Sequence, residues 1–170
     1  HFADEGTAAG TNYYNITVNA SGGQIHVEDG AHIDGLSVSG MRAALNVAGS
    51  IANLDAQGAH VLGFTVHNTG HISGANFGEA TLDTNGSHIA GTLIDANFRD
   101  ANLTNVHFET GAFLQNANFT GATMQEVHFA SGVHLEDIHV DVPLNGRSYF
   151  NSIAEMPQYG NGLSGTGVAE

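Results

Sequence analysis

Residues 96–105 read ANFRDANLTN, and 21 positions after Ala96 the chain reads ANFTGATMQE over residues 117–126. In both segments Ala-Asn precedes a large apolar residue, and the next large apolar residue comes five positions later. A helix repeats its apolar face about every 3.6 residues and a strand about every two, so neither produces this spacing. The 21-residue interval therefore predicts a coil that stacks on itself as a solenoid.

Four rows of side chains extend this interval along the chain and form the expected core. Within one unit the row positions are five residues apart, with one six-residue step, as from Phe108 to Leu114. This spacing predicts a coil with four short sides and one longer corner, and we expect Ile89 to swing inward beside Ser87. The rows are Ile51, Ile72, Leu93, Leu114 and Leu135; Ala56, Phe77, Phe98, Phe119 and Val140; Val61, Leu82, Leu103 and Met124; and Val66, Ser87, Phe108 and Phe129.

The pentads closely resemble the pentapeptide-repeat family. The motif A-N-[FL]-x-x recurs in phase from Ala96, Ala101 and Ala117, and the resemblance covers residues 51–140. It implies an all-β fold, a right-handed quadrilateral β-helix (β-solenoid) with about 20–21 residues per coil and coils stacked about 4.8 Å apart. The chain departs from the family's pattern in its extra residue per coil and in the polar Ser87 of an apolar row.

Three regions follow from these patterns. Residues 1–24 are predicted to form an N-terminal arm with one strand, residues 25–140 the solenoid, with regular repeats over 51–140, and residues 141–170 a C-terminal cap and tail. The 21-residue register breaks before Leu45, so irregular coils are expected to start the stack; within them, GAHIDG also resembles bactofilin-type β-helices. In the cap, the segment from Ser148 to Met156 is expected to form a short helix, because Ser is a good N-cap and a Pro follows.

Charge and composition narrow the classes of function. The chain has 170 residues, of which 17 are Asp or Glu and three are Lys or Arg, for a formal net charge of −14. Such a surface argues against nucleic acid as a partner, and no apolar run approaches the length that membrane insertion requires. The absence of Lys and Cys in a Gly-, Asn- and Thr-rich chain favours an exported protein, extracellular or at the cell surface, after removal of an export signal.

The sequence contains no catalytic signature. It lacks a Cys nucleophile, a Lys, a G-x-S-x-G motif and a glycine loop that would hold phosphate at the start of a helix. We therefore expect a protein that is not an enzyme and that needs no cofactor, with a divalent metal as the one candidate.

The histidines are the candidates for that metal. His107 and His128 are 21 residues apart and are expected to stack on one outer face, with His88 and Glu109 on a ladder two residues along. Together His107, His128, Glu109 and His88 offer the nitrogen and oxygen donors that zinc or copper prefers. The alternative interpretation is that these side chains are solvated, or that they face another subunit.

Assembly with further copies of itself is the function that the sequence favours. A solenoid has open strand edges that must be capped or paired. Tyr14, Ile16 and Val18 alternate along an N-terminal strand that could be added to the edge of another copy. We therefore expect a non-enzymatic structural protein that forms homo-oligomers, filaments or a surface matrix.

Two other functions stay open at this point. The resemblance implies an acidic binding module, because some pentapeptide-repeat proteins mimic DNA and bind topoisomerases such as gyrase. Against it, the acidic ladder of Glu79 and Asp100 is interrupted by Gly121. The other alternative is a histidine-rich surface protein that binds metal.

Overall fold

The fold is a parallel β-solenoid of about six turns. The computed structural model describes residues 12–19, 21–82 and 86–140, together with the backbone of two short strands at 144–145 and 149–150. All regular secondary structure in these ranges is β-strand, so the all-β solenoid predicted from the sequence is confirmed. In the same ranges, no helix is long and apolar enough to span a membrane.

Eighteen strands lie in two parallel sheets within the described residues. Each strand pairs with its equivalents in the turns before and after. The strands are β1 Asn12–Thr17, β2 Ser21–Val27, β3 His32–Ser37, β4 Arg42–Val47, β5 Ser50–Asp55, β6 His60–Val66, β7 His71–Ser73, β8 Thr81–Leu82, β9 Ser87–Ile89, β10 Thr92–Ile94, β11 Asn102–Thr104, β12 Val106–Phe108, β13 Phe113–Gln115, β14 Thr123–Gln125, β15 His128–Phe129, β16 His134–Glu136, β17 Leu144–Asn145 and β18 Tyr149–Phe150.

One sheet has the order β1-β3-β5-β7-β10-β13-β16, and the other contains the remaining strands. Long strands in the early turns give way to pairs of short segments in the later ones. In the second sheet, β6 pairs with both β8 and β9, so one long side becomes two short sides. In the first, β5 pairs with β7, and its last residue, Asp55, bridges to Asn76. From this point each turn has four sides, as the pentads predict.

The predicted break in the 21-residue register is confirmed. Ile33 pairs with Ile51, 18 positions later, and Leu45 pairs with Phe64, 19 positions later. From Ile51 onward the first row keeps its 21-residue step, since Ile51 pairs with Ile72. The early turns are therefore shorter than the regular ones.

The fourth predicted row needs one correction. Ile89, and not Ser87, pairs with both Val66 and Phe108, so Ile89 is the member of the row, as the expected inward swing of this residue anticipated. The reason is a longer connection after β8, which places Ile89 23 positions after Val66. Ser87 is also buried, and its hydroxyl accepts a hydrogen bond from the backbone N–H of Phe64 at 3.1 Å.

The predicted C-terminal helix is wrong where the structure describes it. Tyr149–Phe150 is a strand that pairs with His128–Phe129, and Leu144–Asn145 pairs with Met124–Gln125. Leu144 and Phe150 follow their partners by 20 and 21 positions, so the repeat spacing continues beyond Val140 and overrides the helix signals. The rest of the segment predicted as helix lies outside the described residues.

Strand material from both flanks thus pairs with the solenoid. Asn12–Thr17, assigned from the sequence to the N-terminal arm, pairs with His32–Ser37. The division of the chain into arm, solenoid and cap stays a prediction, but these flanking strands extend the same sheets.

The core is a column of stacked aromatic rings lined by aliphatic rows. The rings of Phe77, Phe98 and Phe119 stack with centroids 5.0 and 4.9 Å apart and planes within 4° of parallel. Phe108 stacks on Phe129 at 4.5 Å, and both meet the edge of Phe119. All five rings are buried. Burial of these side chains is the main stabilising contribution, because apolar area removed from water contributes about 25 cal/mol per Å².

We expect Phe98→Ala to lower the free energy of unfolding by about 3–5 kcal/mol, because it leaves a cavity between two stacked rings. Urea unfolding followed by circular dichroism measures the change. Phe113→Ala is the matched control, since Phe113 is only partly buried and stacks on His134 outside the core. A loss below about 1 kcal/mol for Phe98→Ala would contradict the inward placement of this row.

Gly91 lies at the corner between Ile89 and Leu93, where a Cβ would meet the backbone oxygens of Gly70 and His67. We expect Gly91→Ala to lower the free energy of unfolding by about 1–3 kcal/mol or more, because backbone atoms must move to make room. The control is Gly63→Ala, whose Cβ would make only an ordinary contact, 3.9 Å from the Cβ of Ala44. If both variants lower the melting temperature equally, the backbone at this corner has room for a Cβ and the expected clash is absent.

Candidate functional site: the histidine ladder

Three histidines occupy equivalent positions in consecutive turns, and we call them the histidine ladder: His88 on β9, His107 on β12 and His128 on β15. His88 pairs with His107, and His107 pairs with His128. The sequence had assigned His88 to a neighbouring ladder, and this assignment is wrong. The cause is the same longer connection that shifts Ile89, because it displaces β9 by two positions.

The imidazole rings of the ladder stack on the outer face of the solenoid. The ring centroids of His88 and His107 are 5.3 Å apart, and those of His107 and His128 are 4.8 Å apart. The interplanar angles are 20° and 24°. The side chain of His88 is exposed, whereas His107 and His128 are partly buried. These spacings follow from the distance between hydrogen-bonded strands, about 4.8 Å.

Polar neighbours orient the rings. His88 Nδ1 lies 2.7 Å from Glu109 Oε1, and His107 Nε2 lies 3.1 Å from Asn105 Oδ1. Asn105 was not singled out from the sequence, although it precedes His107 by two residues, as Glu126 precedes His128. That repeated spacing was the available signal.

Burial lowers the pKa of the His128 imidazole below its ordinary value of 6.5, and the neighbouring His107 lowers it further. Glu126 opposes these two effects by stabilising the protonated form. The neutral form of His128 is therefore favoured at neutral pH, which suits a ring packed against another imidazole.

The four predicted metal ligands do not form a metal site in this structure. Within the described ranges, no group of three or more His, Asp or Glu side chains is arranged to hold a metal ion. His88, His107 and His128 stack face to face, and Glu109 contacts His88, so the donor atoms follow the ladder and do not converge on one point. The physical reason is that in-register pairing of equivalent strands places their side chains one above another along the stack.

We expect zinc and copper to bind the parent protein no more tightly than a His107→Ala, His128→Ala double variant, because three donors do not converge. Isothermal titration calorimetry with each metal measures both affinities. If the parent binds at least about tenfold more tightly, a difference of 1.4 kcal/mol, the ladder rearranges into a metal site.

The three residues predicted to mediate assembly differ in their exposure. Tyr14 is 62% exposed and is the large apolar residue that the described surface presents most openly. Ile16 and Val18 instead pack against the core, and the backbone N–H of Val18 donates a hydrogen bond to Ser37 O at 2.9 Å. Of the three, Tyr14 alone is exposed.

Several acidic residues lie at corners of the coil where the backbone is left-handed. Glu79, Asp95, Asp100 and Asp137 all have positive φ, between 52° and 58°. In equivalent positions of other turns the chain has Asn or Gly, which tolerate the left-handed region best. Accordingly the carboxylates do not form a continuous stripe: Asn116 donates a hydrogen bond to Asp95 at 2.9 Å.

The asparagine ladder in the pentads has a structural role. Asn97 Nδ2 donates to Asn76 Oδ1 at 3.0 Å, and each side-chain oxygen accepts a backbone N–H two residues later in its own turn. Asn118 makes the same local bond to the N–H of Thr120. These contacts hold the corner that follows each inward Ala.

A known family model matches the turns that contain the pentads. The model for pentapeptide repeats (9 copies) matches residues 93–139. This part of the chain consists of pentapeptide repeats. The resemblance predicted from the sequence is thus confirmed, and the matched pentapeptide-repeat segment is the most regular part of the solenoid. Proteins of this kind are generally non-enzymatic, and their fold supports a binding or structural module.

A solved pentapeptide-repeat protein, HetL from the cyanobacterium Nostoc sp. strain PCC 7120, is similar to this chain. It is described as involved in the regulation of heterocyst differentiation. The two share 14% identity over 82% of this chain and 89% of HetL, with a TM-score of 0.19. Likeness at this level supports no statement about the function of this chain. No match was found among curated proteins.

Proposed function

We propose that this chain is a non-enzymatic structural repeat protein that self-associates end to end, with β1 of one copy adding to the last turn of another. The observation that carries the proposal is the character of β1. In the described part of the chain, β1 is the terminal strand of its sheet. Its sequence, NYYNIT, has no charge and no Pro, the residues with which natural edge strands prevent pairing with other chains.

The two ends of this sheet have matching backbone shapes. Asn15 in β1 and Asp137 after β16 both have positive φ, 51° and 52°, at equivalent positions of the coil. The same kink recurs through the intervening turns, for example at Asn53. A second copy stacked head to tail would therefore meet a strand edge bent in the same place.

The two ends of the inward row that contains Ile51 and Leu114 also favour stacking of one copy on another. Tyr13 pairs with Ile33 at one end of the row, and Leu135 pairs with Leu114 at the other. Both terminal side chains are only partly buried, whereas Ile33 and Leu114 are fully buried. Contact between copies would remove the remaining apolar surface of both from water, which stabilises association.

The geometry gives an open assembly. All strand pairs in the described residues are parallel, so a copy added at β1 presents its own β1 to the next. Contacts between unlike ends that do not close into a ring produce filaments. An extracellular location remains a prediction from composition, and the proposal does not depend on it.

We expect the purified chain to form filaments or extended oligomers at neutral pH, visible by negative-stain electron microscopy and as large species in sedimentation velocity. Tyr14→Lys should shift the population to monomers, because it places a charge beside the edge that must pair. Tyr14 is exposed, so this change leaves the core intact.

The matched control is Thr123→Lys, which adds the same charge at an exposed position on β14, a strand paired on both sides. We expect it to assemble like the parent. A parent chain that stays monomeric at high concentration would refute end-to-end assembly. Assembly of Tyr14→Lys to the same extent as the control would exclude β1 as the contact.

A further inference from the structure

We propose that the histidine ladder acts as a pH-sensitive clasp for the later turns of the solenoid: neutral rings stack and hold the turns together, and protonated rings repel and loosen them. The inference is independent of self-association. It rests on the placement of three titratable side chains in register on consecutive strands.

The distances make the charges interact strongly. The centroids of neighbouring rings are 5.3 and 4.8 Å apart, well within the Debye length of about 8 Å at physiological ionic strength. Salt therefore screens the repulsion between protonated rings only partly. His128 is also partly buried, and burial disfavours its charged form.

Carboxylates face the two ends of the ladder. Glu109 lies 2.7 Å from His88, and Glu126 is close enough to His128 to favour its protonated form. The central His107 contacts the neutral amide of Asn105 and the two neighbouring rings. The next ladder positions are Thr65 beyond His88 and Tyr149 beyond His128. His107 therefore has an imidazole ring on either side and a neutral amide as its hydrogen-bond partner.

The direction of the pH effect follows from His128. Its pKa lies below the ordinary value of 6.5 because of burial first and His107 second, with Glu126 acting in the opposite sense. In the unfolded chain His128 regains the ordinary value, so the unfolded chain binds the proton more readily. The stabilising contribution of the neutral ring is present above about pH 6.5 and is lost as the pH falls below it.

The effect should be local. In a solenoid each turn contacts only its neighbours, so destabilisation of one turn need not spread through the stack. Strands β1 to β6 have six or seven residues, whereas β7 to β16 have two or three. The turns that carry the ladder therefore have the shorter hydrogen-bonded edges, and residues 86–140 should loosen before residues 21–82.

Hydrogen exchange followed by mass spectrometry at about pH 7.5 and about pH 5, corrected for intrinsic exchange rates, tests the clasp. In the parent, protection of residues 86–140 should fall at least about tenfold more than protection of residues 21–82. In His107→Asn this difference should largely disappear, because the remaining two histidines are then separated by a neutral side chain. Asn suits the position, since Asn46 occupies the same ladder two turns before His88.

The matched control is His71→Asn, which removes an outward histidine whose strand neighbours are Ser50 and Thr92. It should behave like the parent. A uniform loss of protection along the parent, or a loss in His107→Asn equal to that of the control, would overturn the clasp.

A second measurement needs no variant. A pH titration of the histidine ring signals by nuclear magnetic resonance should place the midpoint of His128 below the ordinary histidine value of 6.5. A midpoint at or above the ordinary value would overturn the proposal, because protonation would then stabilise the stack.

Discussion

Hydrogen bonding of each turn to the one before it, in register, is the interaction on which the rest of this structure depends. It places chemically equivalent positions about one strand spacing apart along the whole stack. Inside, this puts Phe77, Phe98 and Phe119 face to face at about 5 Å. Outside, it places the amide of Asn97 3.0 Å from that of Asn76, and the ring centroids of His107 and His88 5.3 Å apart. Aromatic rings and amides are stabilised by contact with their own kind, whereas equal charges are not.

The same constraint shapes the distribution of charge. The sharp corners require a left-handed backbone, which Gly, Asn and Asp adopt at the least cost. One corner, followed through successive turns, has Gly58, Glu79, Asp100 and Gly121, all with positive φ. Glu79 is the least favourable of these for a left-handed backbone. The acidity of the surface follows in part from backbone geometry. A continuous acidic stripe of the kind that would mimic a nucleic acid is accordingly interrupted in the described turns.

Much of the fold could be predicted because inward positions repeat at a fixed interval, and the interval alone specifies which side chains share the core. What could not be predicted depends on corner lengths. The connection before Ser87 shifts β9, and this shift moved His88 into the ladder of His107 and removed the convergence expected of a metal site. Likewise, local capping signals at Ser148 suggested a helix, whereas pairing of Tyr149–Phe150 with β15 satisfies the backbone in the sheet. The sequence pattern of β1 does not predict that Ile16 is partly buried, because this burial depends on how the strand packs against the core.

The displaced strand β9 also bears on how such a chain can change in evolution. Ile89 follows Val66 by 23 positions and precedes Phe108 by 19, so that Phe108 is again two regular periods from Val66. A surplus of two residues in one corner is thus cancelled by a deficit in the next, and the turns on either side keep their partners. Insertions and deletions in the corners are absorbed within a single turn, so the length of the connections can drift while the inward rows stay aligned.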